Sequence, residues 1–195
     1  MDNLFEDIDE TDRLVSDTLI KELKQEISDS GFVPFSRYME MALYHPKLGY
    51  YRNGSIKFGS DGDFVTAPEV SPLFAQCLAK QCVEIFTDLS CNTIIEFGAG
   101  SGVLAGDLLS AIHGFGESVA EYLIIELSAE LRYRQQCLIQ EHYPEWYSKV
   151  RWLDVLPEGV EGVIIANEVL DAMPCEVFRM DDEVFQCGVS LVEGK

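Results

Sequence analysis

The spacing of apolar residues along the chain changes character near residue 90. Before that point apolar residues recur at helical spacing, which predicts helices starting at Ser16–Asp17, at Pro34 and at Pro72, the first of them ending at Gly31. After it, short apolar runs alternate with helical segments, a pattern typical of a parallel sheet covered by helices. The helix from Pro72 to about Leu89 is predicted to turn Leu73, Phe74, Cys77, Leu78 and Gln81 inward.

The second part of the chain is predicted to be a Rossmann-like α/β core. Its four candidate parallel strands are residues 93–97, 122–126, 150–153 and 163–167. After Pro174 the pattern alternates around residues 181–183, which predicts a β-hairpin. A doubly wound sheet usually has about six strands, so we expect the C-terminal strands to be missing from this chain. We therefore expect an N-terminal helical extension with a loop over residues 1–90 and a core over residues 91–195.

Charge and composition narrow the class of protein. The net charge of −20 argues against unaided nucleic-acid binding; it indicates either attraction for a cationic partner or simple solubility. No apolar run is long enough to span a membrane. The first 14 residues are acidic and expected to be frayed, unlike a signal or transit peptide, so we expect a bacterial cytoplasmic protein. The six cysteines form no C-x-x-C pair, so we expect no metal.

The strongest local motif is EFGAGSG at residues 96–102, between an apolar strand and a helix. Glycines allow a tight turn there and let a ligand approach the backbone. A dinucleotide fingerprint, G-x-G-x-x-G, would need a third glycine where Val103 stands. E-x-G-x-G-x-G resembles instead the first motif of Rossmann-like methyltransferases, whose S-adenosylmethionine carries no phosphate. The alternative is a structural turn.

Two acidic residues at predicted strand ends add to this interpretation. Glu126 ends the second parallel strand, 24 residues beyond Gly102, where a carboxylate can grip both hydroxyls of a ribose. Asp154 follows the third strand and could reach the adenine amino group. Both positions are also compatible with solvated carboxylates at strand ends or turns.

The segment NEVLDAMP at residues 167–174 follows the fourth strand. Glu168 and Asp171 are three residues apart, so on one helical turn they would share a face and could hold a guanidinium by paired hydrogen bonds. An equally good explanation is a helix start with acids near its N-terminus.

Four ordered blocks together resemble one family, the MidA-like methyltransferases, which are related to the mitochondrial complex I assembly protein-arginine methyltransferase. The blocks are ALYHPKLGYY (42–51), GDFVTAPE (62–69), EFGAGSG (96–102) and NEVLDAMP (167–174). The resemblance implies methyl transfer from S-adenosylmethionine to an arginine of a protein, a complex I subunit in the family, with Glu168 and Asp171 as catalytic groups. Implied cofactor contacts are Glu96, Gly98, Ala99, Gly100, Gly102, Glu126, Asp154 and Asn167, with Asp63, Thr66 and Glu69 from a covering loop.

Two other functions stay open. Family members are longer, so this chain could be a non-catalytic assembly factor that binds S-adenosylmethionine, or an inactive fragment. A nicotinamide dehydrogenase is the third possibility, and the residue at Val103 argues against it.

Overall fold

Residues 10–51, 66–89 and 91–192 are described in the computed structural model of the chain, and they fall into two compact units. The first unit contains residues 10–51 and 171–192, and the second contains residues 66–89 and 91–170. The N-terminal segment is grouped with the C-terminal hairpin because the short strand β1, Val33–Pro34, pairs with it. The division expected at residue 90 stays a prediction about domain organisation.

The first unit combines two helices with a three-stranded antiparallel sheet. Its helices are α1, Glu10–Ser30, and α2, Phe35–Tyr44. The predicted hairpin is confirmed: its strands β6, Val177–Met180, and β7, Val184–Val189, pair antiparallel in the order β1-β7-β6.

Helix α1 begins earlier than expected and ends where expected. The predicted start at Ser16–Asp17 and the frayed segment up to residue 14 are wrong for residues 10–14, which are helical. Glu10 and Asp12 lie in the first described turn, where the helix dipole favours acidic side chains. Gly31 ends the helix with a φ of 79°, a left-handed conformation that glycine adopts without a steric penalty. Residues 1–9 lie outside the described part of the chain.

The second unit is a helix-covered parallel sheet, as predicted. Its helices are α3 (Ala67–Val70), α4 (Leu73–Leu89), α5 (Val103–Gly114) and α6 (Ala129–His142), and its strands are β2 (Ile94–Phe97), β3 (Tyr122–Ile125), β4 (Val150–Leu153) and β5 (Val163–Ile165). The strands are ordered β4-β3-β2-β5, so β2 lies between β3 and β5. A single 3-10 turn, Tyr147–Lys149, leads into β4.

One face of this sheet carries the main core, where α4, α5 and α6 pack against Ile94, Tyr122 and Ile124. A smaller cluster around Ile95, Leu123 and Ile125 lies on the opposite face. The predicted inner face of α4 is only partly right. Phe74 and Leu78 do pack against the core, but Leu73, Cys77 and Gln81 are exposed, and the buried residues are Ala75, Ala79, Cys82 and Phe86.

The alanines decide this face of α4 because small side chains allow close approach of α5, which itself presents the fully buried Ala105.

Among the described residues, none of the helices has the length and apolar content needed to cross a membrane.

Candidate functional site

The candidate site residues of the second unit gather at the carboxyl edge of its sheet. Phe97, Ile125 and Leu153 are in register, so β2, β3 and β4 end at the same level. Ile165, the last residue of β5, is paired with Glu96. Ligands of open parallel sheets bind at this edge, and β2 and β5 are neighbours as the methyltransferase strand order requires.

The glycine loop, residues 98–102, connects β2 to α5 with a backbone that only glycine adopts easily. Gly98, Gly100 and Gly102 have φ angles of 60°, 56° and 92°. At Gly102, which caps α5, a side chain would also press on Gln135 of α6, since a Cβ there would lie 3.3 Å from the Cα, Cβ and Cγ of Gln135. Ala99, within the loop, is buried. The loop is therefore held tightly against α6.

Glu126 lies at the end of β3 with only 7% of its surface exposed. Its Oε1 accepts a hydrogen bond from the Ser128 N–H (2.9 Å), and its Oε2 accepts one from the Gln135 amide (3.0 Å). Burial raises the pKa of Glu126, and these hydrogen bonds oppose that rise. Each oxygen of a carboxylate can accept a second hydrogen bond, so the group is fixed in orientation and still able to bind hydroxyl groups.

Gln135 is the residue at this edge that sequence reasoning missed. It is fully buried on α6, donates to the Gly100 carbonyl (3.0 Å) as well as to Glu126, and accepts from the Trp152 indole (2.9 Å). The segment carries two consecutive glutamines, Gln135 and Gln136. The available signal was that Gln135 precedes the apolar Ile139 by four residues, which places the two on one face of a helix.

Asp154 follows β4 and pairs with Arg132 (2.6 Å) while remaining 85% exposed. The same guanidinium nitrogen donates to the main-chain carbonyls of Glu126 (2.9 Å) and Leu153 (3.3 Å). Arg132 thus ties together the ends of β3 and β4, and the structure places Asp154 beside Glu126. Its contact with an adenine stays a prediction.

Glu96 lies inside the core, not at the open edge. It is 2% exposed and accepts a hydrogen bond from the Tyr122 phenol (2.8 Å). Burial raises the pKa of Glu96 to about 7; the nearby Glu126 adds to the rise and the tyrosine hydrogen bond opposes it. Its predicted cofactor contact remains a prediction, and the partner that the structure shows is Tyr122.

The GDFVTAPE block is only partly described. Asp63 lies outside the described residues, and Thr66 precedes α3 without forming a side-chain cap. Glu69, on α3, accepts a hydrogen bond from the Ser101 hydroxyl of the glycine loop. The structure therefore connects the end of this block to the loop through Glu69.

The expectation that Glu168 and Asp171 share a helical turn is wrong. Asn167 and Glu168 form a turn, Glu168 has a left-handed φ of 51°, and the short 3-10 helix Leu170–Ala172 starts only afterwards. The turn lies against the glycine loop, since Val169 Cγ2 is 3.5 Å from a Cβ built on Gly98. A left-handed conformation costs a non-glycine residue roughly 1–2 kcal/mol and is often retained at functional sites.

Asp171 belongs to the first unit, where Tyr44 and Tyr51 lie close to it and to the next residue, Ala172. The Tyr44 hydroxyl donates to the Ala172 carbonyl (2.8 Å), and Tyr44 stacks on Tyr51 with ring centroids 5.5 Å apart. Burial raises the pKa of Tyr51, and Tyr44 and Asp171 add to the rise. The ALYHPKLGYY block thus supplies aromatic side chains near Asp171.

The residues at the sheet edge fit S-adenosylmethionine. Its ribose diol needs a carboxylate with free acceptor capacity, which Glu126 has. Its amino acid carboxylate suits the N-terminus of α5, where the first turn holds no acidic side chain. Its positively charged sulfonium is compatible with the several carboxylates at this edge of the sheet. The described residues of the glycine loop include no lysine that could bind a phosphate.

The family described as "Putative S-adenosyl-L-methionine-dependent methyltransferase" matches residues 77–195. The chain belongs to this methyltransferase family. The membership confirms the family resemblance, the cofactor class and the Rossmann-like α/β fold that were expected from the motif blocks.

Relatives of this methyltransferase chain include two proteins named for arginine methylation. The Drosophila melanogaster "Protein arginine methyltransferase NDUFAF7 homolog, mitochondrial" is 28% identical over 192 residues, which cover 87% of this chain and 44% of the relative. Its human counterpart, "Protein arginine methyltransferase NDUFAF7, mitochondrial", is 30% identical over 190 residues, covering 83% and 42%. The chain therefore spans less than half the length of these curated relatives.

Two crystal structures from Burkholderia thailandensis are similar to this chain, each with a TM-score of 0.81 over 95% of its length. One of these structures contains S-adenosyl-homocysteine; its sequence is 40% identical to this chain, which covers 54% of its length. The other is a native structure of an uncharacterized protein; its sequence is 42% identical to this chain, which covers 48% of its length. The methyltransferase resemblance therefore extends from motifs to the three-dimensional fold. The cytoplasmic location expected above stays a prediction.

Proposed function

We propose that this chain binds S-adenosylmethionine at the carboxyl edge of the four-stranded sheet and is the cofactor-binding part of a protein arginine N-methyltransferase. The observation that carries the proposal is the Glu126 carboxylate, fixed by Ser128 and Gln135 at the end of β3 beside the glycine loop. The similar structure that contains S-adenosyl-homocysteine supports the cofactor. The names of the relatives support an arginine as methyl acceptor, and a complex I subunit is the finer proposal from the family resemblance.

The chain's own residues would bind and orient the cofactor. Gly98, Gly100 and Gly102 let its amino acid end approach the backbone, and the N-terminus of α5 favours its carboxylate. Glu126 accepts hydrogen bonds from the ribose hydroxyls. When bound, S-adenosylmethionine supplies an electrophilic methyl group on a sulfonium, and holding the acceptor in line with it provides much of the rate acceleration.

On the acceptor side we assign Glu168 and Asp171 to the guanidinium. Arginine stays protonated in proteins, so it is a poor nucleophile. A carboxylate that hydrogen-bonds two of its nitrogens holds the positive charge on that side and leaves the third nitrogen better able to attack. As that nitrogen bonds the methyl group, the methyl–sulfur bond would break, S-adenosyl-homocysteine would leave, and the nitrogen's proton would pass to the second carboxylate. The left-handed backbone of Glu168 supports this role, because strain of this kind is retained where a side chain must be aimed.

Cofactor binding is tested by calorimetric titration of S-adenosyl-homocysteine into wild type, Glu126→Gln and Glu121→Gln. Glu121 is the matched control because it precedes β3, where it pairs with Arg151 on the surface (2.9 Å). Loss of hydrogen bonds to a charged acceptor should weaken binding by about 10- to 100-fold in Glu126→Gln. Glu121→Gln should bind like wild type. Equal affinity of all three proteins would contradict the assignment of Glu126.

Methyl transfer is tested by incubating the chain with S-adenosylmethionine labelled on the methyl group and a bacterial protein extract, followed by acid hydrolysis. Label in methylated arginine is the expected result, and it should disappear in Glu126→Gln. Label confined to another amino acid would refute arginine as acceptor. Binding without any label is the result expected of the alternative, a non-catalytic assembly factor or inactive fragment.

A further inference from the structure

Gln135 connects three elements of the second unit through one side chain. Its amide nitrogen donates to the Gly100 carbonyl and to Glu126 Oε2, both at 3.0 Å, and its amide oxygen accepts from the Trp152 indole at 2.9 Å. The partners belong to the glycine loop, to the end of β3 and to β4. The side chain is completely buried, so water does not compete for these bonds.

The orientation of this amide is fixed by its surroundings. Two of the three neighbours, a carbonyl and a carboxylate, can only accept hydrogen bonds, and the third, an indole N–H, can only donate. A flipped amide would place its oxygen against two acceptors and its nitrogen against a donor. Both donated bonds therefore come from one rigid planar group, which sets the position of the Gly100 carbonyl relative to the Glu126 carboxylate.

We infer that Gln135 is the positioning residue for S-adenosylmethionine, holding the glycine loop and the ribose-binding carboxylate in one arrangement. This inference rests on the proposed function of Glu126. In a planar trans peptide the N–H lies on the edge opposite the C=O, so turning the Gly100 carbonyl toward Gln135 directs the Ser101 N–H away from α6. Gly102 contributes to the same arrangement, since its missing side chain lets the loop lie against Gln135.

The same network provides a spectroscopic reporter. Glu126, Gln135 and Trp152 form a chain of hydrogen bonds, and neighbouring bonds in such a chain polarise one another. Ligand hydroxyls bound to Glu126 should therefore shift the indole N–H resonance of Trp152. The chain's other tryptophan, Trp146, donates to the Ser110 hydroxyl (3.0 Å) and serves as an internal control.

The experiment compares S-adenosyl-homocysteine binding by Gln135→Met, Ile139→Val and Trp152→Phe, at a temperature where circular dichroism shows each variant to be folded. Methionine keeps the length of the side chain and removes all three hydrogen bonds. Ile139 is buried one turn further along α6, so its variant lowers stability without touching the network. Trp152→Phe removes only the bond to the amide oxygen. We expect Gln135→Met to bind about tenfold or more weakly. Trp152→Phe should weaken binding less than Gln135→Met, because both bonds that the amide donates remain, and Ile139→Val should bind like wild type.

The outcomes separate this inference from the proposed function. Tight binding by Gln135→Met together with weak binding by Glu126→Gln would overturn the role of Gln135 alone. No binding by the wild-type chain would overturn both. Should Gln135→Met fail to fold, the wild-type titration decides: a shift of the Trp152 indole resonance with Trp146 unchanged supports the inference, and a Trp152 resonance that does not move when ligand binds contradicts it.

Discussion

Glu96 is a carboxyl group on β2 that the fold buries in the core beside Tyr122, and its burial makes stability depend on pH. Burial raises the pKa of Glu96 from 4.5 to about 7. Between those pH values the unfolded chain releases this proton and the folded chain keeps it. The free energy of unfolding therefore falls as the pH rises through this window, by about 3 kcal/mol in total for this group.

The Glu96→Gln variant removes this dependence. Its amide oxygen can still accept from the Tyr122 hydroxyl, so the packing and the hydrogen bond are retained. Relative to wild type, the variant should gain about 3 kcal/mol between about pH 4.5 and pH 7. Urea unfolding followed by tryptophan fluorescence at several pH values measures this difference. A difference that stays constant with pH would show that the pKa of Glu96 is the same in the folded and the unfolded chain.

Single residues also show which parts of the site were predictable. Glu126 and the glycines were predicted correctly in position, because strand ends and tight turns leave a direct mark on the sequence. The burial of Glu96 was not predicted, because its partner Tyr122 comes from the neighbouring strand, 26 residues later. Gln135 was missed for the same reason: its three partners lie on three other segments of the chain.

Among the elements, α5 shows how packing overrides helix propensity. Gly106 lies in the middle of α5, where a Cβ would overlap the Tyr143 ring, including its Cγ, while the Tyr143 hydroxyl is held by Asp107 (2.8 Å). Gly114, the last residue of the same helix, has open space around it. Alanine is the better helix former, by about 1 kcal/mol in a helix interior. Substituting the two glycines therefore distinguishes the effect of packing on stability from the effect of helix propensity within one helix.

Gly106→Ala should lower the free energy of unfolding by about 1–3 kcal/mol, since the tyrosine must move out of a well-packed position. Gly114→Ala should leave stability unchanged or raise it slightly, by less than about 1 kcal/mol. Chemical denaturation of both variants next to wild type is the measurement. If Gly106→Ala proved as stable as Gly114→Ala, the Tyr143 ring would have room that the structure does not show.

Helices and strands were predicted better than their faces and ends. The presence of parallel strands was predictable from the alternation of apolar runs with helical segments, and the hairpin from its turn. The inner face of α4 was misjudged because large apolar residues were preferred over Ala75 and Ala79, whose small size lets α5 approach. The prediction that Glu168 and Asp171 share one face of a helical turn failed because spacing alone does not show that Glu168 adopts a left-handed backbone.

For the whole molecule, apolar exposure and negative charge act in opposite directions on self-association. Strand β6 is one of the two outer strands of the three-stranded sheet among the described residues. The hairpin that contains it exposes large apolar side chains, and outer strands of this kind favour pairing between molecules. The net charge of −20 opposes such contacts by repulsion. The exposed large apolar residues of the hairpin are Val177, Phe178, Met180, Val184 and Phe185.

Salt should therefore increase self-association of the chain. The Debye length falls from about 30 Å at about 0.01 M salt to about 3 Å at about 1 M, which removes the repulsion and leaves the apolar contacts. Phe178→Lys should reduce association in high salt, although it also lowers the net negative charge. Leu73→Lys makes the same charge change at an equally exposed position on α4 and should have a smaller effect. Sedimentation velocity measures the outcome. Association that decreases with salt, or that responds equally to both variants, would mean that the hairpin is not the contact surface.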